Sequence, residues 1–540
     1  MTQFGSLIRT GLVLPGLVCL ALGAGCSSDQ KPGASAAGSG NLAGDGSVTG
    51  RAGGDGSLAG HSNGGSANGG SANGSSGNGG SANGAQGGTA DSSAGDSSGG
   101  AAGSAGGYPV PDSLPNETGA DLWLRYPKVA LPARLAEYQA ALTHVVSSGG
   151  GASTQAATDE LIQGLSGLLG TKVTLASTVQ GAGALVVGTP TTSTLIAGLP
   201  LASELPALGP EGYLVRSAEL QGQSVIAIAA NTELGVLYGS FALLRQLATH
   251  GTLAQLSLSG TPKVKNRLLN HWDNLDGSIE RGYAGASLWK WSDLPGTLSA
   301  RYKAYARANA SIGINGAVLN NVNADKQILT AAYIAKVKAL AGVFRPYGIK
   351  VYLSARFSAP VELGGLSTAD PSDAGVQKWW ADKANELYAA VPDFGGFLVK
   401  ANSEGQPGPQ TYNRTHADGA NLLAKALAPH GGIVIWRAFV YSTAAGSDRI
   451  KQAYDEFKPL DGKFDANVLV QVKNGPLDFQ PREPFHPLFG AMPNTPIALE
   501  LQITKEYLGE DTHLAYTGPL YEEVLKADTQ VKGPGSIVAR

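Results

Sequence analysis

Cysteine is nearly absent from this sequence of 540 residues, and the two that occur, Cys19 and Cys26, both lie within the first 26 positions. The chain beyond them therefore has no disulfide, no cysteine-bound zinc or iron–sulfur cluster and no thiol nucleophile. Its eight histidines never show the His-Glu-x-x-His spacing of a catalytic zinc site. The Gly-Ala-Gly at Gly181–Gly183 lacks the third glycine of a dinucleotide loop. The sequence thus predicts neither a metal ion nor a cofactor.

An excess of positive charge is also lacking. The chain has 39 lysine and arginine residues against 42 aspartate and glutamate residues, a formal net charge of −3 at pH 7. Nucleic-acid binders and proteins that adhere to anionic membranes through basic clusters carry a clear positive excess. This balance excludes both classes, so any preference for charged ligands has to come from a local site.

Aromatic residues are missing from a long glycine-rich tract. Between positions 31 and 107 the chain has 27 glycines in 77 residues, and no aromatic side chain occurs there before Tyr108. Repeats such as Gly-Gly-Ser-Ala-Asn-Gly bury too little apolar surface to offset the entropy lost on ordering. We therefore predict a disordered linker over residues 27–107 that serves as a tether, with an insertion of no function as the alternative. The 433 residues after it suffice for two domains.

The first 26 residues have the pattern of an export signal. Arg9 precedes an apolar run over residues 12–22, which is too short to span a bilayer and is interrupted by Pro15. The stretch Leu-Gly-Ala-Gly before Cys26 resembles a bacterial lipobox with its leucine displaced by one position, which predicts lipidation of Cys26. An ordinary cleaved signal is the alternative. We expect an exported protein, either a lipoprotein of the outer membrane or cell surface, whose lipid is its only membrane contact, or an extracellular or periplasmic protein.

Residues 108–262 mix helical and strand patterns and predict a small α+β domain. Strands at Gly212–Val215 and Ser224–Ala230 are joined by a turn at Gln221–Gly222. A helix follows from about Glu233 to Ala248, because leucine and phenylalanine recur on one face at helical spacing.

Strands and helices alternate from Lys263 onward. Repeated βα units favour a parallel sheet closed as a (β/α)₈ barrel of the TIM type, here over residues 263–540. Only seven strands are found, so either an eighth is missed or the barrel lacks its last strand and leaves open edges on the first and seventh. The candidate strands are Val264–Asn274, Ala317–Asn323, Ile349–Phe357, Gly396–Glu404, Gly432–Val440, Asn467–Val472 and Ile497–Glu506.

Alternation along these strands selects the side chains that point into the barrel and approach its C-terminal mouth, where such barrels place active sites. The fourth strand is expected to extend its inward face through Glu404, and the seventh to form an unusually polar ladder. The polar residues brought to the mouth are Lys400, Asn402, Glu404, Arg437, Lys473, Asp478, Glu500, Gln502, Thr504 and Glu506.

Carboxylates at several strand ends suit glycoside hydrolysis, because one must protonate the leaving oxygen while another activates water or attacks the sugar. The cations Lys400 and Arg437 among them suggest an acidic sugar, since a planar guanidinium fits a carboxylate. A salt bridge that seals the barrel top is the alternative for each residue alone. Near the first strand, four residues have two open readings, sugar contact or a structural role: His271, Trp272, Asp273 and Trp289.

Five segments together resemble the family 67 α-glucuronidases. They occur in order as Leu122–Tyr126, Asn270–Gly285, Lys400–Pro409, Lys473–Pro484 and Glu500–Gly509. The resemblance runs from about Leu114 to the C-terminus. It implies an inverting hydrolase that removes α-1,2-linked glucuronic acid, or its 4-O-methyl ether, from the terminal xylose of xylo-oligosaccharides.

The resemblance also implies roles for residues at the predicted mouth. Glu404 matches the general acid, and Asp478 and Glu506 match the two carboxylates associated with the general base, with their division of labour left open. Lys400 and Arg437 match residues that hold the uronate carboxylate. The other substrate-binding candidates are Trp272, which matches a sugar-contacting tryptophan, Val322, which lies where the 4-O-methyl group is accommodated, and Lys473.

Family members continue with a last barrel strand and a large helical domain that supports a homodimer, and neither is found in this sequence. We therefore expect this chain alone to be poorly stable or weakly active and not to form that dimer. One alternative is a non-catalytic surface protein that binds acidic xylo-oligosaccharides. Another is a β-hexosaminidase, which Ser403 disfavours because those enzymes place aspartate directly before the catalytic glutamate.

Overall fold

The computed structural model describes residues 17–22, 116–117, 119–440, 448–480, 482–510 and 512–538. Residues Leu17–Leu22 form strand β1 and are described by their backbone. The predicted lipidation site Cys26, the predicted linker over residues 27–107 and most of the predicted export signal lie outside the described residues. In the part that is described, no helix combines the length and the apolar character that crossing a bilayer requires.

The N-terminal domain is a mixed sheet of six strands covered by helices. Its elements are α1 (Pro132–Ala141), β2 (His144–Ser147), α2 (Ala152–Leu169), β3 (Thr174–Ala176), β4 (Ala184–Gly188), α3 (Thr194–Ala197), β5 (Tyr213–Leu220), β6 (Gln223–Ala230), α4 (Glu233–Ala248) and β7 (Ser257–Gly260). The strand order is β3-β2-β4-β6-β5-β7, in which β5 runs antiparallel to β6 and β7 and the other neighbours are parallel. The predicted domain of mixed α and β structure is confirmed.

Local signals in this domain are strong enough to set its hairpin and its longest C-terminal helix. Gln221 and Gly222 separate β5 from β6, and their φ angles are 54° and 74°. A type I′ turn needs this left-handed backbone at both central positions and matches the twist of the strands it joins. Helix α4 begins after Thr232, whose hydroxyl accepts a hydrogen bond from the N–H of Gly235 at 3.3 Å. The turn and the helix both lie where the sequence predicts them.

A buried ion pair fastens α2 to α5 (Ala300–Ser311), the first helix of the barrel region. Glu160 is 3% exposed and accepts hydrogen bonds from the Arg307 guanidinium at 2.6 and 2.8 Å and from the Tyr126 hydroxyl at 2.6 Å. Burial and the nearby Glu160 carboxylate raise the pKa of Tyr126, so its phenol keeps the proton that it donates. Three donors on one buried carboxylate offset its desolvation and hold the domain against the barrel.

The barrel consists of parallel strands surrounded by helices. Its strands after β1 are β8 (Arg267–His271), β9 (Gly316–Val318), β10 (Lys350–Ser354), β11 (Gly396–Val399), β12 (Ile433–Arg437), β13 (Val468–Lys473) and β14 (Ile497–Ile503). Its helices after α5 are α6 (Ala331–Phe344), α7 (Ala359–Glu362), α8 (Ala374–Ala390), α9 (His416–Leu427), α10 (Gln452–Phe457) and α11 (Gly518–Lys526). Strands β8 to β14 are neighbours in chain order, each parallel to the next. The predicted TIM-type barrel and its seven strands are confirmed.

The place between β14 and β8 is taken by β1. This strand is parallel to both neighbours, with Leu22 opposite Ile503 on one side and His271 on the other. The sequence predicts open edges there, whereas the structure closes the barrel with part of the predicted export signal. An apolar run suits this position because strands of a parallel barrel are buried on both faces, and its backbone pairs with both edges.

Two strands end earlier than the sequence predicts. Strand β11 ends at Val399 and β14 at Ile503, so the expectation of continuous strands through Glu404 and Glu506 is wrong. The φ angles of Asn402 and Glu404 are 52° and 49°, a left-handed backbone that no strand can contain. Strict alternation therefore does not govern the residues that follow Val399.

The floor of the barrel is apolar. Each of the strands β8 to β14 contributes one inward side chain that is at most 8% exposed, and these belong to one apolar cluster. They are Leu268, Val318, Tyr352, Leu398, Ile435, Leu469 and Ala498. Such a layer makes the barrel a packed core, so a ligand can enter only from the C-terminal mouth.

Candidate active site

A polar layer lies directly above the apolar floor. Two residues beyond each floor residue, the chain places a buried polar side chain, none more than 4% exposed. These are Asn270, Asn320, Ser354, Lys400, Arg437, Gln471 and Glu500. Side chains two apart on a strand share a face, so this layer faces the barrel interior at its C-terminal end.

Three cations of the mouth surround the ring of Phe439. The Lys473 ammonium lies 4.0 Å from the ring centroid, the Arg437 guanidinium carbon 5.0 Å and the Lys400 ammonium 5.5 Å. All three side chains are at most 4% exposed. The face of an aromatic ring attracts cations and thus helps to hold three like charges close together.

Arg437 is held by Glu500, two strands away in the barrel. The Glu500 carboxylate accepts hydrogen bonds from Nη2 of Arg437 at 2.9 and 3.0 Å and from Nε at 3.2 Å. Burial lowers the pKa of Arg437, but the Glu500 charge outweighs burial and keeps that pKa above its usual value. Within the described residues, Nη1 of Arg437 has no hydrogen-bond partner. One edge of the guanidinium is therefore free for an anion.

Lys473 pairs with Asp478 in the loop after β13. Its ammonium lies 3.3 Å from Oδ1 of Asp478, and the same oxygen accepts a hydrogen bond from the Gln502 amide at 2.7 Å. Burial lowers the pKa of Lys473, an effect that the charges of Asp478 and Glu500 oppose. The Gln502 amide also donates to Oε1 of Glu500 at 3.0 Å. The structure thus joins the residues predicted for strands six and seven into one network.

Lys400 and Glu404 form an ion pair at the end of β11. The Lys400 ammonium also donates a hydrogen bond to Oδ1 of Asn323 at 2.7 Å. Asn402, which the sequence predicts on the same inward face, instead accepts a hydrogen bond from the N–H of Gln410 at 3.0 Å and stabilises its own loop. The left-handed turn therefore returns Glu404 to the mouth, although the strand has already ended.

Glu506 lies in the loop after β14, near Arg281. Its Oε2 is 3.5 Å from Nε of Arg281, and no residue of the described chain donates a hydrogen bond to that oxygen. Burial raises the pKa of Glu506, Arg281 opposes the increase, and the nearby Asp478 carboxylate adds to it. The mutual influence of Asp478 and Glu506 shows that these two predicted site residues share one electrostatic environment.

Trp272 and Val322 line the apolar side of the mouth. Both belong to the apolar cluster of the barrel interior and are at most 3% exposed. The Trp272 ring lies 5.5 Å from the Arg437 guanidinium and 6.1 Å from the Phe479 ring. The structure therefore brings an indole against the predicted anion-binding cation.

The other residues of the first motif are structural. Trp289 is completely buried, and its indole N–H donates to the carbonyl of Leu319 at 2.9 Å. His271 contacts that indole ring, and its Nε2 lies 2.7 Å from the hydroxyl of Tyr305. Asp273 accepts hydrogen bonds from the hydroxyl of Ser287 at 2.7 Å and from the N–H of Leu288 at 2.8 Å. These contacts decide the open readings of Trp289, His271 and Asp273 in favour of the core.

Sequence reasoning missed Phe439 and the linking role of Gln502. Phe439 lies two positions after Arg437 in the predicted fifth strand, so alternation alone indicates its inward face. Nothing in the sequence indicates that three cations from three strand ends meet on its ring.

The mouth thus combines three cations with three carboxylates. The charges of Asp478 and Glu404 both raise the pKa of Arg437, which places these carboxylates within electrostatic range of the same guanidinium. Carboxylates near a bound sugar serve as proton donor and acceptor, and the cations suit an anionic substituent. Across the part of the chain that the structure describes, no group of histidine, aspartate and glutamate side chains has the arrangement of a metal site.

Two family models match the chain in succession. Residues 122–243 match the glycosyl hydrolase family 67 N-terminus, and residues 246–540 match the glycosyl hydrolase family 67 middle domain. A probable alpha-glucuronidase A from Neosartorya fischeri is 46% identical over 431 residues, which cover 77% of this chain and 49% of that protein. Alpha-glucuronidase A from Emericella nidulans is 43% identical and covers 78% of this chain and 51% of its own length. For the alpha-glucuronidase of Hypocrea jecorina these values are 43%, 78% and 50%. The chain spans about half the length of the curated relatives it matches.

Proposed function

Because this chain belongs to glycosyl hydrolase family 67, we propose that it is an α-glucuronidase acting on glucuronic-acid-substituted xylo-oligosaccharides. It releases α-1,2-linked glucuronic acid, or its 4-O-methyl ether, from the terminal xylose. The named activity of the relatives supports this proposal. The observation that carries it furthest is the set of three buried cations around Phe439, beside the carboxylates Glu404, Asp478 and Glu506.

The uronate carboxylate binds to the cations of the mouth. The free Nη1 edge of Arg437 offers one donor, and the ammonium groups of Lys400 and Lys473 lie against the same ring. Trp272, next to Arg437, contacts an apolar face of the sugar, and Val322 accommodates the 4-O-methyl group. A substrate without a carboxylate leaves the buried cations without their anionic partner, which penalises binding of neutral sugars.

Glu404 acts as the general acid and protonates the leaving glycosidic oxygen. In the free protein Glu404 pairs with Lys400. The incoming uronate carboxylate competes for the same ammonium, and weakening this ion pair favours the protonated form of Glu404 that an acid catalyst needs. On the opposite side of the sugar, a carboxylate of the pair Asp478 and Glu506 activates water, which inverts the anomeric configuration when acid and base are ~6.5–9.5 Å apart.

The test is incubation of the chain with aldouronic acids and, in parallel, with the same oligosaccharides after chemical reduction of the uronic acid to glucose. We expect free uronic acid from the first, formed initially as the β-anomer by NMR, and at least ~100-fold slower release from the carboxyl-reduced substrate. Equal rates on both substrates contradict the assigned role of the cations. Binding without release, unchanged in Glu404→Gln, supports instead a non-catalytic protein that binds acidic xylo-oligosaccharides.

We also propose that residues 1–26 direct export and that Cys26 becomes lipid-modified, so that the enzyme is displayed at a membrane or cell surface. The lipobox-like stretch before Cys26 supports this proposal. Lipid modification removes the residues before the cysteine, including β1, so the lipidated form and the barrel closed by β1 are mutually exclusive in one molecule. Palmitate labelling of cells that express the chain tests the proposal, since Cys26→Ser has to abolish the label.

A further inference from the structure

Gln502 lies at the centre of the network that holds Asp478. Its amide nitrogen donates to Oδ1 of Asp478 at 2.7 Å and to Oε1 of Glu500 at 3.0 Å. Its amide oxygen accepts a hydrogen bond from the N–H of Phe479 at 3.1 Å. The side chain is 3% exposed, so each of these contacts is made away from bulk water.

These partners allow the amide of Gln502 only one orientation. Both carboxylates are acceptors and the Phe479 N–H is a donor, so a rotated amide would place oxygen against oxygen and N–H against N–H. Glu500 is itself immobilised by its hydrogen bonds to Arg437. Gln502 therefore presents a fixed donor to Asp478.

This contact divides the two oxygens of Asp478 between separate tasks. Oδ1 accepts from Gln502 and from Lys473, whereas within the described residues nothing donates a hydrogen bond to Oδ2. A general base needs an oxygen that is free to accept a proton from water and a carboxylate that cannot rotate away. Asp478 meets both requirements.

Glu506 meets neither requirement. It follows β14 in a loop, its Oε2 has no hydrogen-bond donor within the described chain, and its cationic neighbour Arg281 is 3.5 Å away. Burial also raises the pKa of Glu506, which favours the protonated form and opposes proton uptake.

Resting on the proposed glucuronidase function, we propose that Gln502 is a positioning residue that orients Asp478, and that Asp478 rather than Glu506 is the general base. In the reaction, Oδ2 of Asp478 takes a proton from water while the water oxygen bonds to the anomeric carbon. The bond from that carbon to the xylose oxygen breaks, and this oxygen takes the proton of Glu404. Glu506 stays close to the water without receiving its proton.

The experiment compares the full chain with its variants Gln502→Met, Asp478→Asn, Glu506→Gln and the double variant of Gln502→Met with Asp478→Asn. Methionine keeps the length of glutamine but removes its donor. The matched control is Asn467→Leu, at the opposite end of the barrel, which loses amide hydrogen bonds to the carbonyls of Ala424 at 2.9 Å and Gly432 at 3.1 Å. For each variant kcat and KM are measured on aldouronic acids across the pH range.

We expect Asp478→Asn to lower kcat by ~10²–10⁴-fold and Gln502→Met by about tenfold or more, with KM changed less than about threefold. Loss of the donor also moves the acidic limb of the kcat/KM profile of Gln502→Met to higher pH, because the amide stabilises the ionised carboxylate. The other charged groups that act on Asp478 are common to both proteins: Arg437, Lys473, Glu483 and Glu506. Asn467→Leu keeps the wild-type profile even if its melting temperature falls.

Non-additivity separates positioning from a general structural effect. Because Gln502 acts through Asp478, Gln502→Met has no further effect on kcat once Asp478 is Asn. An unchanged acidic limb in Gln502→Met, or fully additive losses in the double variant, overturns the inference, as does a Glu506→Gln variant less active than Asp478→Asn. A wild-type chain that releases no uronic acid refutes the proposed function and this inference together. An active wild type with an unaltered Gln502→Met profile refutes the inference alone.

Discussion

Replacing Glu500 by leucine tests whether the mouth is held together by charge pairing. Arg437 and Glu500 are each 1% exposed, and their side chains are joined by hydrogen bonds of 2.9, 3.0 and 3.2 Å. Glu500→Leu removes the whole anionic partner while keeping the side-chain volume similar. The Arg437 guanidinium then stays in the barrel interior without its principal counter-charge.

The expected loss of stability follows from this burial. Breaking a buried ion pair by removing one partner costs about 3–5 kcal/mol, because the remaining charge stays desolvated. The barrel region has roughly 270 residues, and unfolding entropies of about 2.1 cal/mol/K per residue give roughly 0.6 kcal/mol per degree. Glu500→Leu should therefore lower the melting temperature of the barrel by about 5–9 °C.

Differential scanning calorimetry of four proteins measures the effect: wild type, Glu500→Leu, Arg437→Met and the double variant. A pair of apolar side chains of similar volume is often as stable as the buried ion pair that it replaces. We therefore expect both single variants to melt below the wild type and the double variant to recover most of the difference. Our reasoning is refuted if Glu500→Leu melts at the wild-type temperature, or if the double variant loses as much stability as the two single losses combined.

Three further outcomes test other parts of the structure. Glu404→Ala should lose ~10²–10⁴-fold in kcat on aldouronic acids but regain much of it on an aryl glucuronide with a good leaving group, whereas Asp478→Ala should not, and equal behaviour contradicts the acid and base roles. Burial raises the pKa of Glu506, so its ionisation opposes folding and stability falls as pH rises through that raised pKa. Glu506→Gln should thus melt above the wild type near about pH 7 but not near about pH 4, and a pH-independent difference contradicts this. Removing residues 1–26 unpairs the edges of β8 and β14 and should lower the melting temperature of the barrel, so an unchanged value means that β1 adds no stability.

Periodicity predicts the barrel well because each strand is a local pattern. The floor residues are apolar and the residues two positions later are polar, so the inward face of every strand is legible in its own sequence. The same reasoning fails at Asn402, because a left-handed backbone after Val399 ends the alternation and nothing in the residue types requires it. It also leaves Trp289 undecided, since an indole in the core and an indole under a sugar have the same local sequence signature.

The sequence by itself determines a small mixed domain followed by a parallel barrel, and it assigns the cations and the carboxylates to strand ends. These features depend on spacing within one strand and on short-range turn chemistry. Only the tertiary structure decides which charges meet, because Arg437 reaches Glu500 across an intervening strand and the stagger of the barrel sets their levels. The same stagger brings Gln502 to Asp478, and the free oxygen of that carboxylate is therefore a property of the folded barrel alone.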